Sequence, residues 1–407
     1  MRILVLSQYF WPEPFRVTDL VSALHARGHE VTVLTGWPNY PEGRVYPDFR
    51  ADPARFARHG ASDVLRVPLL PRGQGALRLM LNYAVFVVSA SLVGPWKLRG
   101  LKFDVIFVYQ PSPITQCIPA LVVGWMKRAP VLLWTLDLWP ETLIAVGAVR
   151  RPAALRAVSW IVSAIYRRCA LVLGQSRAFE ESVTRHSGGP ERFRYFPQWS
   201  EPLFDGGLDG VVPAPEVQPF LGSFNVVFAG NIGEAQDFPV ILEAAERLRN
   251  RTDIKWLIIG DGRAAADARA QVAARGLGER VHFLGRHPIE RIPAFFVAAG
   301  ALLVTLKRDP VFARVIPGKV QTYLAAGLPI VGMLDGEGAR VLKESGAARV
   351  GPSGDAETLA RNVASLADTP QGERAAIGAR GAAYAAREFD RDRLLAQLEI
   401  WCAEVAR

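Results

Sequence analysis

The sequence predicts an α/β protein made of two doubly wound, parallel-sheet domains of Rossmann-like type that face each other across a cleft. Three observations predict this fold class. Apolar runs of strand length alternate with segments of helical spacing along most of the 407 residues, which is typical of parallel βαβ units. The alternation is interrupted by a Gly- and Pro-rich stretch at 187–222 and then restarts. A chain of this length also exceeds what one core usually holds.

The first domain is predicted over residues 1–205 and opens with a complete βαβ unit. An apolar run at 2–7 precedes helical spacing at 18–27, and a second apolar run at 30–35 follows a glycine stop. No GxGxxG motif follows the first run, so the sequence argues against a dinucleotide-binding dehydrogenase. The alternation continues with strands predicted at 103–109, 130–135 and 170–174 and helices at 114–126, 153–168 and 176–186.

A linker is predicted at 206–222 and a second domain at 223–385. Its predicted strands lie at 225–229, 255–259, 280–284, 301–306 and 329–333. Residues 386–407 form one more helix, with Leu394, Leu398 and Trp401 on one face, and we expect it to pack back towards the first domain.

Charge is divided unevenly between the two halves. The net charge is +9, but residues 1–200 carry 24 Lys and Arg against 13 Asp and Glu, whereas residues 201–407 carry 24 against 26. A basic N-terminal half suits nucleic acid, an anionic membrane surface or a phosphorylated acceptor. No Lys/Arg run with interleaved aromatic residues is present, so we expect no nucleic-acid partner.

Cysteine and histidine usage favours a cytosolic enzyme without a metal site. Cys117, Cys169 and Cys402 are odd in number and lie in apolar surroundings, which predicts buried, reduced thiols. The six histidines include no pair at helix-ligand spacing, so no metal is expected. The N-terminus has the composition of a first strand and not of a signal peptide.

Residues 77–96 form an unusually apolar segment, with no charge for eighteen positions after Arg78. Basic residues flank it on both sides. Three interpretations stay open: a buried or interface helix of the domain, a helix lying on the membrane surface, or a true membrane span.

Residues 301–332 combine a buried strand, a charged loop containing Arg308 and a helix that begins at Gly318. The free N–H groups and positive dipole end of such a helix bind phosphate, and Lys319 adds a full charge there. The alternative is an ordinary strand–loop–helix unit with a surface lysine.

Polar residues follow the predicted strands of the first domain, where parallel sheets place their ligands. Asp137 and Glu141 lie four apart after the strand at 130–135 and are candidate catalytic carboxylates. The alternative is that Asp137 caps the next helix and Glu141 lies on the surface.

Several sequence segments together resemble the retaining, nucleotide-sugar-dependent glycosyltransferases of family 4, which have the GT-B fold. They are HARGHEVTVLT, VVFAGNIG, WLIIGDG, VHFLGR and PGKVQTYLAAGLPIVG. The segments NYPEG, DLWPE, GNIGEAQDF and DGEGARV are similar to one branch, the bacterial transferases for colanic acid, O-antigen and capsule, including N-acetyl-L-fucosamine transferases.

The resemblance implies that the second domain holds a nucleoside-diphosphate sugar, UDP-linked, and that the first domain presents the acceptor. Donor contacts are then expected from Asn231, Gly233, Gly260, Asp261, Arg308, Lys319, Gln321 and Thr322. Acceptor contacts are expected from Glu13, Asn39 and Tyr40, with Asp137 and Glu141 as catalytic residues. Like other GT-B enzymes the chain should need no metal or other cofactor.

This chain departs from the family pattern at four positions. Many members carry an Arg and a Lys that grip the diphosphate, where this chain has Asn231 and Gln236, and a glutamate pair where it has Arg314 and Thr322. A charge-assisted contact contributes ~1.5–3 kcal/mol to binding, so the loss of two would weaken donor binding unless other groups replace them. The candidates for the phosphate contact are Arg16, Arg308, Lys319 and the backbone at Gly318.

The resulting prediction is a retaining glycosyltransferase at the cytoplasmic face of the inner membrane. It would move a sugar, such as an N-acetylamino sugar, from UDP to a polysaccharide precursor or lipid-linked acceptor, with peripheral membrane association through the basic N-terminal domain. Two alternatives stay open: a UDP-sugar 2-epimerase or hydrolase of the same fold, and a non-catalytic partner subunit.

Overall fold

The computed structural model describes residues 1–73, 75–145, 147, 149, 151–204 and 207–406. The chain divides into two compact units. The first unit comprises Met1–Phe196 and Asp392–Arg407, and the second comprises Pro197–Arg391. The predicted boundary at 205 and linker at 206–222 stay a prediction, and the structure groups the residues from Pro197 onward with the second unit.

The first unit begins with strands and helices that alternate as predicted. Its elements are β1 (Arg2–Leu6), α1 (Val17–Ala26), β2 (Glu30–Gly36), α2 (Pro47–Ala51), β3 (Arg58–His59), β4 (Ser62–Val67), α3 (Ala76–Lys97), β5 (Val105–Gln110), α4 (Ile118–Lys127), β6 (Val131–Thr135), α5 (Glu141–Ala145), α6 (Pro152–Tyr166), β7 (Leu171–Gly174), α7 (Glu180–Ser187) and β8 (Phe193–Tyr195).

The second unit repeats the alternation. Its elements are β9 (Phe224–Ala229), α8 (Phe238–Arg247), β10 (Ile254–Ile259), α9 (Ala265–Ala274), β11 (Val281–Gly285), α10 (Ile292–Phe296), β12 (Ala299–Thr305), α11 (Gly318–Ala325), β13 (Ile330–Met333), α12 (Gly336–Ser345), β14 (Ala348–Gly351), α13 (Ala356–Ala367) and α14 (Gln371–Glu388). The last helix, α15 (Arg391–Val405), belongs to the first unit from Asp392 onward.

Both sheets are doubly wound, as predicted. Among the described residues the first sheet has eight strands in the order β3-β4-β2-β1-β5-β6-β7-β8, all parallel except for the β3–β4 pair. The second has six parallel strands in the order β11-β10-β9-β12-β13-β14. The central strands are buried on both faces because helices cover both sides of such a sheet. The predicted fold class, two parallel-sheet α/β domains, is confirmed.

The final helix packs within the first unit. Trp401 lies with its ring 5.9 Å from that of Phe196. Glu399 accepts hydrogen bonds from Arg27 (2.9 Å) and pairs with His29 (2.7 Å) at the end of α1. These contacts fix α15 against the first sheet and its helices.

The three cysteines are buried as free thiols. The sulfur atoms of Cys117 and Cys169 lie 3.8 Å apart. This hydrogen bond, together with burial, raises the pKa of Cys117, and burial raises the pKa of Cys402. A raised pKa keeps a thiol protonated and unreactive.

Candidate active site

Each sheet changes winding direction once, and the candidate site residues follow strands that lie at or next to those two places. In the first sheet β1 connects to β2 on one side, whereas the later strands β5, β6 and β7 add on the other side. In the second sheet the corresponding change is between β9 and β12. Loops at the carboxyl ends of the strands flanking such a switch point form the usual ligand crevice of open α/β sheets.

Two glycine loops meet at the carboxyl ends of β9 and β10. Gly230 and Gly260 have φ of +140° and +138°, and a Cβ added at Gly260 would lie 1.9 Å from the Gly230 carbonyl oxygen. Gly230 N–H donates to Ile259 O (2.8 Å). Only glycine allows the two loops to approach this closely, and the same close approach brings the backbone of Gly230 against the Lys319 side chain.

Lys319 lies on the same side as Gly230. Its ammonium nitrogen is 3.3 Å from the centroid of the Phe228 ring, and its Cε would lie 2.7 Å from a Cβ added at Gly230. Among the described residues it has no carboxylate partner. Desolvation lowers the pKa of Lys319 well below its ordinary value. Lys319 is therefore a half-buried, desolvated amine, and an anion bound beside it would stabilise its charged form.

The helix that carries Lys319 begins at Gly318, as predicted, and Gly318 itself is exposed. A Cβ added at Gly318 would meet nothing within 4 Å. Tyr323, one helical turn beyond Lys319, anchors α11 because its hydroxyl oxygen accepts from Ala229 N (2.9 Å) and its O–H donates to Ala229 O (3.1 Å). The N-terminal N–H groups and Lys319 are thus held beside the end of β9.

Two residues of α11 that were predicted to contact the donor have side chains that hydrogen-bond to the backbone at the start of the helix. Gln321 is buried, and its amide nitrogen, in the orientation that satisfies its hydrogen bonds, donates to Pro317 O (2.8 Å) and Gly318 O (3.1 Å). The Thr322 hydroxyl donates to Gly318 O at 3.4 Å. Both side chains brace the first turn from inside.

The two positions where the family carries cations hold polar side chains that shape the loop. Gln236 accepts from Gly233 N–H through Oε1 (3.1 Å), so that amide is already engaged. The Asn231 side chain lies between Gly233 and Gly262, within 2.7 Å of a Cβ added at either. Exposed Asp261 accepts from the N–H of Gly262 (2.8 Å).

Arg308 follows β12 and turns towards the far end of the sheet. Its guanidinium donates to Ser353 O (3.0 Å) and lies 3.8 Å from the Asp335 carboxylate. The side chain is 73% exposed, so water screens this pair. Arg308 already has two partners, the Ser353 carbonyl and the Asp335 carboxylate, and is a weaker phosphate candidate than Lys319.

In the first unit, Asp137 lies just past β6 in a polar pocket. Its carboxylate accepts from the hydroxyl of Thr142 and from the Trp139 indole N–H (3.2 Å). Ser112, at the end of β5, also hydrogen-bonds to it. Burial raises the pKa of Asp137 against the effect of these hydrogen bonds. A half-buried carboxylate with a raised pKa, at the carboxyl end of a strand next to the switch point, suits general-base work.

Glu141 points away from this pocket towards α7. Its Oε1 accepts from the Ser182 hydroxyl (2.6 Å), and its charge acts on the pKa of Tyr166 and His186. It begins α5 and ties that helix to α7.

Glu13 and Asn39, both predicted to contact the acceptor, hold loops together. Glu13 is 2% exposed; one oxygen accepts from the N–H groups of Asn39 and Tyr40 (both 2.8 Å) and the other from Phe10 N–H (3.0 Å). Burial raises the pKa of Glu13 to about 7. Arg66, buried nearby, donates to the carbonyls of Trp11 and Gly36.

Tyr40 belongs to an aromatic group at the carboxyl ends of β1 and β2. Its ring centroid lies 5.0 Å from that of Phe15 and 5.6 Å from that of Tyr9. Arg16, the first-domain phosphate candidate, is the residue before α1, and its backbone hydrogen-bonds to Tyr109. Tyr9, Phe15 and Arg72 were not among the predicted site residues. Arg72 counted only as one of the basic residues that flank residues 77–96, because one arginine in a Pro/Gly loop gives no periodic signal.

Two family models match the chain. The model described as "Glycosyl transferase 4-like domain" matches residues 15–199, and "Glycosyl transferases group 1" matches residues 223–369. A protein of Escherichia coli strain K12 named for colanic acid biosynthesis, the glycosyl transferase WcaI, is 28% identical over 342 residues. That alignment covers 80% of this chain and 82% of WcaI.

Solved structures show the same fold. HepE of Anabaena, crystallised with UDP, has a TM-score of 0.67 at 15% identity and covers 99% of this chain and 100% of HepE. WaaG, described as a glycosyltransferase involved in lipopolysaccharide biosynthesis, has a TM-score of 0.62 at 15% identity, covering 100% of this chain and 99% of WaaG. The solved structures show the GT-B fold, and the two family models, which match most of each unit, show that the chain is a glycosyltransferase and belongs to family 4, with similarity to a colanic acid enzyme.

Proposed function

We propose that this enzyme transfers a sugar, such as an N-acetylamino sugar, from a UDP-linked donor to a polysaccharide-precursor or lipid-linked acceptor, with retention of configuration. The assignment of the donor site depends on Lys319 at the start of α11, which lies beside Gly230 and Gly260 and has no carboxylate partner among the described residues. Backbone N–H groups at a helix N-terminus together with one cation form a diphosphate site. The UDP in the HepE structure supports the choice of nucleotide.

In the proposed reaction the bond between the anomeric carbon and the leaving diphosphate oxygen breaks, and a bond to the acceptor oxygen forms on the same face. Lys319 and the N-terminus of α11 stabilise the charge that develops on the leaving diphosphate. Asp137 orients the acceptor hydroxyl and receives or relays its proton. No protein nucleophile or metal enters this scheme, and metal independence stays a prediction.

We further propose that the first unit rests on the cytoplasmic face of the inner membrane through α3. Among the described residues, one helix, Leu77–Lys97, is long and apolar enough to cross a bilayer by length and composition. Yet its residues at four-residue spacing, Asn82, Phe86 and Ala90, are buried in the unit. The opposite side exposes an apolar stripe: Leu77, Met80, Leu81, Val88, Leu92 and Trp96.

The charge pattern beside the stripe favours an anionic bilayer as the partner. No acidic residue occurs between Asp63 and Asp104, whereas Arg78, Lys97 and Arg99 lie at the ends of α3. Arg99 lies over the Trp96 ring at 5.0 Å. An apolar face with a basic rim is the pattern of helices that lie in the membrane interface.

A thermal-shift screen of nucleotide sugars tests the donor assignment. A ligand at 100 times its dissociation constant stabilises the folded state by ~2.7 kcal/mol, so the correct UDP-sugar should raise the melting temperature by several degrees. CDP- and GDP-sugars serve as controls. A screen in which no UDP compound shifts the melting temperature would refute the donor assignment. Isomerisation of the sugar without any acceptor would favour the epimerase alternative.

A further inference from the structure

Arg72 is a surface cation whose position is fixed by buried side chains. It follows β4 in a Pro- and Gly-rich loop, where mobility would be the ordinary expectation. Instead its backbone N–H donates to Oδ1 of fully buried Asn39 (3.0 Å). Two residues earlier, Leu70 O accepts from Nδ2 of fully buried Asn82 on α3 (2.6 Å). Asn82 in turn accepts from buried Gln8 (2.6 Å). The arginine is therefore preorganised.

The guanidinium has aromatic and hydroxyl neighbours but no carboxylate partner among residues 1–73 and the other described ranges. Its Cζ lies 5.6 Å from the Tyr40 ring centroid, and it hydrogen-bonds to the Tyr9 hydroxyl. A guanidinium has five N–H donors, so one hydroxyl and one ring face leave most of them available. Such an arginine is suited to an anion with several oxygens.

Two hydroxyl groups lead from α3, near Arg72, to Asp137. Tyr83, on the inner side of α3, hydrogen-bonds to Ser112, and Ser112 hydrogen-bonds to Asp137. The charges of Arg72 and Asp137 act in opposite directions on the pKa of Tyr83. An anion on Arg72 would therefore lie on the same side of the sheet as the proposed acceptor-activating group.

The apolar stripe of α3 begins beside this cation. Leu77, 72% exposed, and Met80, 66% exposed, occupy the first turns of the helix, and a Cβ added at Gly73 would lie 3.4 Å from the Arg78 side chain. An anion bound at Arg72 thus has an exposed apolar surface next to it. Water-soluble acceptors make no use of that surface, whereas an amphiphile does.

We propose that Arg72 binds the phosphate or diphosphate of the acceptor, and that this acceptor is a sugar linked through that group to a lipid chain running along the exposed side of α3. The rings of Phe15 and Tyr40, both half-buried, offer flat surfaces for the sugar. This assignment rests on the proposed glycosyl transfer and specifies its acceptor class. A lipid-linked phosphate and a free phosphate would make the same contacts with Arg72. Only the effect of the lipid chain on affinity can distinguish between them.

The test is a binding titration of the full-length protein with the donor site saturated by UDP. Farnesyl diphosphate, below its micelle concentration, is compared with inorganic pyrophosphate and with farnesol. Farnesyl diphosphate should bind more tightly than either. Arg72→Gln should weaken both anions by tenfold or more, as loss of one charge-assisted contact does. Arg72→Lys should restore part of the affinity, which also shows that the site still folds.

Arg55→Gln is the matched control, because Arg55 is an exposed arginine of the same unit that lies over an aromatic ring, Phe56, at 5.9 Å. It should bind like the wild type. Wild-type affinity in Arg72→Gln, or equal losses in both variants, would overturn the proposal. Equal affinity for pyrophosphate and farnesyl diphosphate would overturn the assignment of a lipid-linked acceptor. Tighter binding of glucuronate than of either anion would overturn the assignment of a phosphate and would indicate a carboxylate as the group bound by Arg72. UDP binding, measured first in the same protein, reports separately on the donor site.

Discussion

At the residue scale, Lys319 illustrates how a binding site can cost stability. Its ammonium is desolvated against Phe228 without a carboxylate partner in the described chain. The folded pKa is lowered by desolvation, so the unfolded state binds more protons than the folded state between the two pKa values. Below the folded pKa, Lys319 therefore destabilises the folded state by its full desolvation cost. Between the folded and the unfolded pKa this cost shrinks, so the free energy of unfolding rises with pH.

Lys319→Met should raise the melting temperature of the ligand-free protein, since the apolar side chain fits beside Phe228 without a charge to desolvate. The same change should weaken UDP-sugar affinity tenfold or more, equivalent to ~1.5–3 kcal/mol for a charge-assisted contact. Thermal unfolding and calorimetric titration measure the two effects. Lys343→Met, at an exposed lysine of α12, is the control. A loss of stability together with unchanged affinity would show that Lys319 is only structural.

Asp137→Asn should lower kcat by two or more orders of magnitude, within the range that general acid–base catalysis contributes, and leave donor affinity unchanged. The carboxylate must be ionised to act as a base, and burial raises its pKa. Wild-type activity should thus decline as pH falls through that raised pKa. Initial rates across pH and UDP titration of the variant measure both expectations. Wild-type turnover in Asp137→Asn would remove the residue from the mechanism.

The direction of a polar side chain is the part of the site that sequence could not supply. Glu13 and Asn39 follow strand ends, as ligand-binding residues do. The polar atoms of both side chains nevertheless form hydrogen bonds with backbone groups of the loops. Burial and hydrogen-bond partners decide this, and both depend on loop packing. The start of α11 at Gly318 was predictable from the Pro-Gly pair that follows the charged loop, whereas the phosphate contact of Lys319 stays a prediction.

At the scale of the element, buried parallel strands were the most predictable feature. Strands such as β1, β9 and β12 are continuous apolar runs, because helices cover both faces of the sheet. The prediction omitted β4, whose sequence SDVLRV carries Asp63 and Arg66. Arg66 is nevertheless buried, with its guanidinium bound to two carbonyl groups. Helices α13 and α14 were likewise not predicted.

Helix α3 shows why hydropathy alone left three interpretations open. One side packs on the sheet, where a Cβ at Gly94 would lie 3.0 Å from Leu34 Cδ2, and the other side is exposed and apolar. Composition is the same on both sides, so only the fold separates them. A helix held in this way would have to leave its own unit to span a bilayer.

Leu81→Asn combined with Leu92→Asn should weaken binding to anionic vesicles, since each exposed leucine that enters the interface contributes ~0.8 kcal/mol per buried CH₂. Binding should also fall from low to high salt as screening increases. Co-sedimentation with phosphatidylglycerol vesicles measures both, with Leu221→Asn, an exposed leucine of the second unit, as the control. Equal binding by the variant and the wild type would exclude α3 as the docking face.

At the scale of the whole molecule, function and charge follow the division into two units. The N-terminal half carries the excess of positive charge and the proposed acceptor and membrane contacts, whereas the second unit carries the proposed donor site. The chain returns to the first unit at its end, because residues from Asp392 onward pack there. The terminal helix therefore closes the first unit and should matter to its stability alone.

Trp401→Ala should destabilise the first unit selectively. Trp401 is buried against Phe196, and removing a buried Trp side chain costs ~3–5 kcal/mol because a cavity remains. In calorimetry the melting transition of the first unit should shift down, while the transition that UDP stabilises should stay. Ile400→Ala, on the exposed side of the same helix, should change neither. A single transition that shifts as a whole in Trp401→Ala would mean that the two units unfold together, and the proposed separation of their stabilities would be wrong.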